Sequence, residues 1–276
     1  MTTMFDTFNQ RIQSFVSEPK NRRLLLGTGS YSTPFRGTLF GCSDSLGVAK
    51  HLASERVDIL WLGANPNVDR SVRKIMANDT KDTDEFDTFL RQAHSGRYAE
   101  QVWDKAGLPS VGWDPIGKPV GSWSVYAELL GKVGRADRVA MANVIPWGSS
   151  VAKDFWKPLG QIDAELLDRL LRFSDELNTE ITLALRPKLI IVPKSLGESP
   201  ETRRMGIAAS RARNLKAHTV KLSRTNFQFS VGQVERGGQP WSVAYLPHPS
   251  ALRLEKEDRV TIVEQARAVL SSVLAR

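Results

Sequence analysis

Three short stretches place amide, imidazole and hydroxyl side chains directly after apolar runs. "DILWLGANPN" (residues 58–67) passes from an apolar run into Gly63, Ala64, Asn65, Pro66 and Asn67. "MANVIPWGSS" carries Asn143, and "YLPHPSALRL" carries His248, Pro249 and Ser250. Amides donate and accept hydrogen bonds, and imidazole changes charge near neutrality, so such groups can hold a polar ligand. At any single position a turn residue or a strand cap is the plain alternative. Other chemistries lack their residues. There is no Walker-type phosphate loop, "GTGSYS" lacks Gly-x-Gly-x-x-Gly spacing, and no Gly-x-Ser-x-Gly elbow occurs. His51, His94, His218 and His248 are scattered, without metal-ligand spacing. No metal or cofactor is expected.

The elements that would position these residues are legible as hydrophobic patterns. Four runs, 57–63, 138–144, 188–193 and 242–247, are nearly continuous in apolar residues, as in a parallel sheet covered on both faces. Between and after them, Leu166, Leu170, Phe173 and Leu177 repeat at helical spacing, as do Val260, Val263, Ala266, Leu270 and Val273. Alternating strands and helices predict an α/β domain in layers. In such open sheets ligands bind beyond the carboxyl ends of the strands, where Gly63, Asn65, Asn143 and His248 fall. The stretch 107–123, rich in Gly and Pro, reads as a long ordered loop.

Composition sets the remaining bounds. The 276 residues are 41% hydrophobic and 25% charged, ordinary for a folded globular chain, and one domain is expected over 1–276, with about 1–50 as a helical or loop extension. The N-terminal stretch shows no export signal, and no run approaches the roughly 18 apolar residues of a membrane helix, so a cytoplasmic protein without a membrane partner is expected. Cys42 stands alone, which excludes an internal disulfide and a cluster held by cysteines. The net charge is +8, and nearly all of that surplus lies in Arg203–Arg224, with seven Lys or Arg and no Asp or Glu. This run is either a solvated helix face or a patch that tracks phosphates.

Taken in order, "GANPN", "MANVIPW", "RPKLIIVPKSLGE" and "LPHPSALRL" resemble the motifs of the uracil-DNA glycosylase superfamily over roughly residues 55–255. The resemblance implies a three-layer α/β/α sandwich around a central, mostly parallel four-stranded sheet. It also implies a monomer that binds double- or single-stranded DNA, flips a nucleotide and cuts its N-glycosidic bond. Asn65 and His248 match the catalytic positions. Asn65 would hold the water near the anomeric carbon without acting as a base, and His248 would donate to the departing pyrimidine's O2. Gly63, Ala64, Pro66, Asn67 and Asn143 would line the base pocket, Asn143 reading the base's polar edge. Ser250 would contact phosphate and Leu252 would fill the vacated stack. Arg253, Arg211, Arg213 and Lys216 complete the expected DNA contacts.

The departures from the family bear on specificity. Narrow uracil enzymes have a tyrosine after the motif's proline and relaxed relatives a glycine; Asn67 stands there, a poor steric gate against C5 substituents. No lysine stands in the first or last motif to form a Schiff base, so a monofunctional enzyme leaving an abasic site is expected. Tyr98, Trp103, Trp113, Trp123 and Trp147 are the candidates for stacking on the base. Two rival readings stand beside excision of uracil or a C5-modified pyrimidine. One is removal of hypermodified cytosine from phage DNA in defence; the other is a DNA-binding module without catalysis on the same fold.

Overall fold

The computed structural model describes residues 7, 10–12, 14–15, 18–21, 31–32, 38–39, 57–63, 122–133, 139–145, 147–148, 160–161, 163–248 and 254–275. The short strands β1 (Tyr31–Ser32) and β2 (Thr38–Leu39) come first in the chain. Five apolar residues in a row make β3 (Ile59–Gly63), and every one is buried. β6 (Leu189–Pro193) is buried throughout as well. Such strands can only sit inside a sheet with cover on both faces. β3 pairs parallel to β6, and β6 pairs parallel to β9 (Gln239–Leu246). β4 (Val139–Asn143) lies on the other side of β3, and β2 pairs antiparallel to β4.

The sheet is wider than four strands and mixed in direction. Beyond β9 the chain adds β8 (Asn226–Arg236) and β7 (Arg213–Lys221), each antiparallel to its neighbour, giving the order β2-β4-β3-β6-β9-β8-β7. The apolar runs at 57–63, 138–144, 188–193 and 242–247 all form strands, as expected. The basic run is not a helix. It forms two 3-10 turns, Glu201–Arg204 and Ala209–Arg211, followed by β7. The signal for the hairpin lies in "NFQFSV", which alternates polar and apolar, and in Gly237-Gly238, where φ of +56° and +73° turns β8 into β9.

The helices follow their spacing closely. α1 (Ser122–Val133) and α4 (Lys256–Leu274) share one core with the sheet, in which Tyr126, Leu129, Leu130, Ile262, Val263, Ala266 and Leu270 meet Ile59, Trp61, Ile191, Phe227, Phe229 and Leu246. Val260 is the exception. It is 57% exposed, and Ile262 takes the buried place instead. α2 (Ala164–Leu185) buries Leu166, Leu170 and Leu177 and half-buries Phe173.

The chain groups into two compact units, each assembled from three stretches. The first comprises Met1–Arg36, Ala64–Ser110 and Asn143–Leu177. In it β1 pairs antiparallel with β5 (Trp147–Gly148), Phe15 packs on Phe173 at 4.5 Å, and the Arg169 guanidinium donates to the buried Asn21 at 2.7 Å. The second comprises Gly37–Gly63, Val111–Ala142 and Asn178–Arg276 and holds β3, β6, β7, β8 and β9. No helix among the described residues is long and apolar enough to cross a membrane.

Candidate active site

Register fixes one edge of the sheet. Trp61 pairs with Ile191, Ile191 with Ala244 and Pro193 with Leu246, so Gly63, Pro193 and Leu246 end three parallel strands at one level. Gly63 is fully buried there. Pro193 leads into the single helical turn α3 (Lys194–Gly197), and a Cβ on Gly197 would run into the Tyr245 ring, so this turn needs glycine to lie against β9. Two residues past Leu246 comes His248, half-buried.

The backbone before His248 is held by a side chain that the motifs do not include. The hydroxyl of Tyr126, on α1, donates to the carbonyl of Pro247. Tyr126 is fully buried and meets Trp61 edge-on, with ring centroids 5.4 Å apart at 90°. Trp61 stands two residues before Gly63 on β3. One aromatic pair therefore ties the end of β3 to the segment that presents His248. Burial pushes the Tyr126 phenol well above its ordinary pKa, so it stays a neutral donor.

Burial also sets the charge on His248. Removal from water lowers its pKa from the usual 6.5, which leaves the imidazole neutral at pH 7. A neutral imidazole carries one N–H, which it can donate to an anion as a hydrogen bond. This is the chemistry available at the carboxyl edge of the parallel strands.

The remaining expected residues divide by location. Asn143 is the last residue of β4. Ala64, Asn65, Pro66, Asn67, Ser250, Leu252 and Arg253 lie outside the described residues, as do Tyr98, Trp103 and Trp113 and the side chains of Asn143, Trp123 and Trp147. Arg211 ends the second 3-10 turn, while Arg213 and Lys216 are on β7; all three are exposed. β7 runs in the same direction as β9, so Arg213 and Lys216 stand back from the carboxyl edge and Lys221 stands at it.

The β7–β8 turn is fastened beside that edge. The Ser223 backbone N–H and hydroxyl donate to Asp258 at 2.8 and 2.9 Å. Asp258 also caps α4 in a reciprocal capping box with Glu255. The Ser223 backbone bond, aided by its hydroxyl, holds the Asp258 carboxyl below the usual carboxylate range. Leu222 and Leu254 pack on the same core on either side of this clamp. Residues 249–253 connect His248 to Leu254.

Among the described residues no cluster of His, Cys, Asp and Glu could hold a metal ion. No protein-family model matches the chain, and no curated protein matches it significantly.

Proposed function

We propose that this chain is a monofunctional DNA glycosylase of the uracil-DNA glycosylase type. It excises uracil or a C5-modified pyrimidine and leaves an abasic site. On this reading the mixed sheet is the centre of a three-layer α/β/α sandwich and the carboxyl edge of its parallel strands is the base pocket. One observation carries the reading: His248 follows β9 at the same two-residue offset as Asn65 follows Gly63, and burial keeps its imidazole neutral.

The roles follow from the chemistry of each group. As the bond between C1′ and the base nitrogen breaks, its electron pair leaves with the base and charge gathers on O2. The N–H of neutral His248 meets that charge, an interaction worth about 10²–10³ in rate for one donor. Asn65 orients the water whose oxygen bonds to C1′. Its amide accepts no proton, so the proton passes to solvent after attack. Asn143 reads the base's polar edge, Gly63, Ala64 and Pro66 shape the floor, and Asn67 leaves C5 open. Ser250, Leu252 and Arg253 hold the distorted strand.

The test is base release. The protein is incubated with oligonucleotides carrying uracil, thymine and bulkier 5-substituted pyrimidines, in single and double strands, and with free nucleosides. Release from DNA with an intact, alkali-labile backbone is expected, and none from nucleosides. DNA binding without release from any base would overturn the enzyme reading and leave a binding module.

A further inference from the structure

The hairpin β7–β8 is absent from the sheet implied by the motifs, and its outer strand carries three of the seven charges of the basic run, Arg213, Lys216 and Lys221. β7 is the outermost strand among the described residues. Its residues alternate in role. Val220 faces the core opposite Phe227, and His218 stacks on Phe229 with centroids 5.1 Å apart. Ala217, Thr219 and Lys221 point the other way, opposite Ser230, Gln228 and Asn226, a face of small and polar residues without an acid.

Register connects the strand to the candidate site. Ser230 pairs with Tyr245, so Phe227 and its partner Val220 reach the level of His248 with only β8 between. The backbones of β7 and β9 are then about 10 Å apart. From Lys221 the strand runs back to Arg213, about 27 Å, the axial length of roughly eight nucleotide steps. Lys221 stands at the carboxyl edge on one face of the strand and Lys216, opposite Val231, on the other, so the two ammonium groups flank the open edge of β7 along a line that ends at Arg213 and Arg211.

Charge decides what the strand is free to bind. Arg213 is shared with Glu235 at 3.4 Å and Arg224 with Glu255 at 3.4 Å, both pairs exposed. Lys216 and Lys221 have no carboxylate partner among the described residues. A neighbouring strand is disfavoured as the occupant. Asn214 takes φ of +54° in a register shift between Arg213 and Lys216, and a bulge with lysines on an edge blocks strand pairing.

We propose that β7 is a phosphate-binding track that receives the DNA backbone leaving the catalytic edge, with Lys221 nearest the flipped nucleotide and Lys216 further along. The choice of DNA as partner rests on the glycosylase reading. The Ser223–Asp258 clamp holds the near end of the track in place against α4.

Salt dependence tests it. Fluorescence anisotropy with undamaged duplex DNA gives log Kd against log salt for the full-length protein and for Lys216→Gln, Lys221→Gln, the double variant and Glu235→Gln. Each lysine change should flatten the slope by about 0.9, the double by about 1.8, and Glu235→Gln should steepen it by releasing Arg213. Unchanged slopes in the double variant and in Glu235→Gln would overturn the track. So would an effect confined to vesicles of anionic phospholipid. Flattened slopes in a protein that releases no base would keep the track and remove the enzyme; base release with unchanged slopes would remove the track alone.

Discussion

The bond from Tyr126 to the Pro247 carbonyl makes the most demanding prediction, because Tyr126→Phe removes one oxygen and leaves the ring against Trp61 and Phe227. A hydrogen bond of this kind contributes about 0.5–1.5 kcal/mol net, and stranding a buried acceptor costs about 1–3 kcal/mol. Pro247 is only half-buried, so water recovers part of the loss, and about 1–2 kcal/mol is expected. For a chain of this size each kcal/mol lowers Tm by about 2–4 °C. The functional effect concerns placement. On the proposed reading, a carbonyl freed from Tyr126 would let the following His248 drift from the charge on the departing base. A loss of about tenfold in single-turnover rate, or about 1.4 kcal/mol, is expected with DNA affinity unchanged. The pH profile separates positioning from general destabilisation. Burial lowers the pKa of His248, so the acid limb of the wild-type profile should lie below pH 6.5, and in Tyr126→Phe it should move up toward 6.5 as water reaches the imidazole. A Tm loss with unchanged rate and unchanged acid limb would refute the positioning role of Tyr126.

Three further outcomes can be checked. Asn65→Ala should abolish base release with DNA affinity held within a few fold, and His248→Ala should lower the single-turnover rate by about 10²–10³; full activity in both would remove the site. Asn67→Tyr should suppress 5-substituted pyrimidines and spare uracil, since a bulky ring rejects a C5 group by clash; equal suppression of both would place the gate elsewhere. Asp258→Asn should lower Tm at neutral pH by loosening Ser223. Because the folded carboxyl titrates below its unfolded value of 3.8, its contribution is present above that pH and is lost as pH falls through the lowered value, so the two melting curves should converge in acid. A difference that persists there would refute the linkage.

The central strands were legible because strands buried on both faces cannot be written with polar residues: β3 and β6 are unbroken apolar runs. α2 and α4 were legible from spacing, although Val260 shows that one apolar residue in a helix need not face inward. The hairpin was missed because the charges on β7 hid its pairing. An exposed edge strand buries so little that its sequence need not alternate, and only the alternation of β8 carried a signal, Gly237-Gly238 marking the next turn, from β8 into β9. Of the candidate site, Gly63 and His248 could be read as strand ends. Tyr126 could not, since its partner is a backbone carbonyl 121 residues away, and an acceptor present in every residue leaves no mark on the sequence.

The place of β3 has a consequence for how the chain folds. β6, β7, β8, β9 and α4 all come from the last third of the sequence, and the antiparallel pairs among them join near neighbours. β3 instead meets β6 through Ile59 and Leu189, 130 residues apart. Contacts between close neighbours close small loops and form quickly, whereas the gap between β4 and β6 must wait for a long loop to close. During synthesis β3 leaves the ribosome with its partner still unmade, five apolar residues with nothing to pair against. On this argument the carboxyl-terminal strands offer an edge onto which the early strand docks late, and the edge where Gly63, Pro193 and Leu246 end is complete only once it has docked.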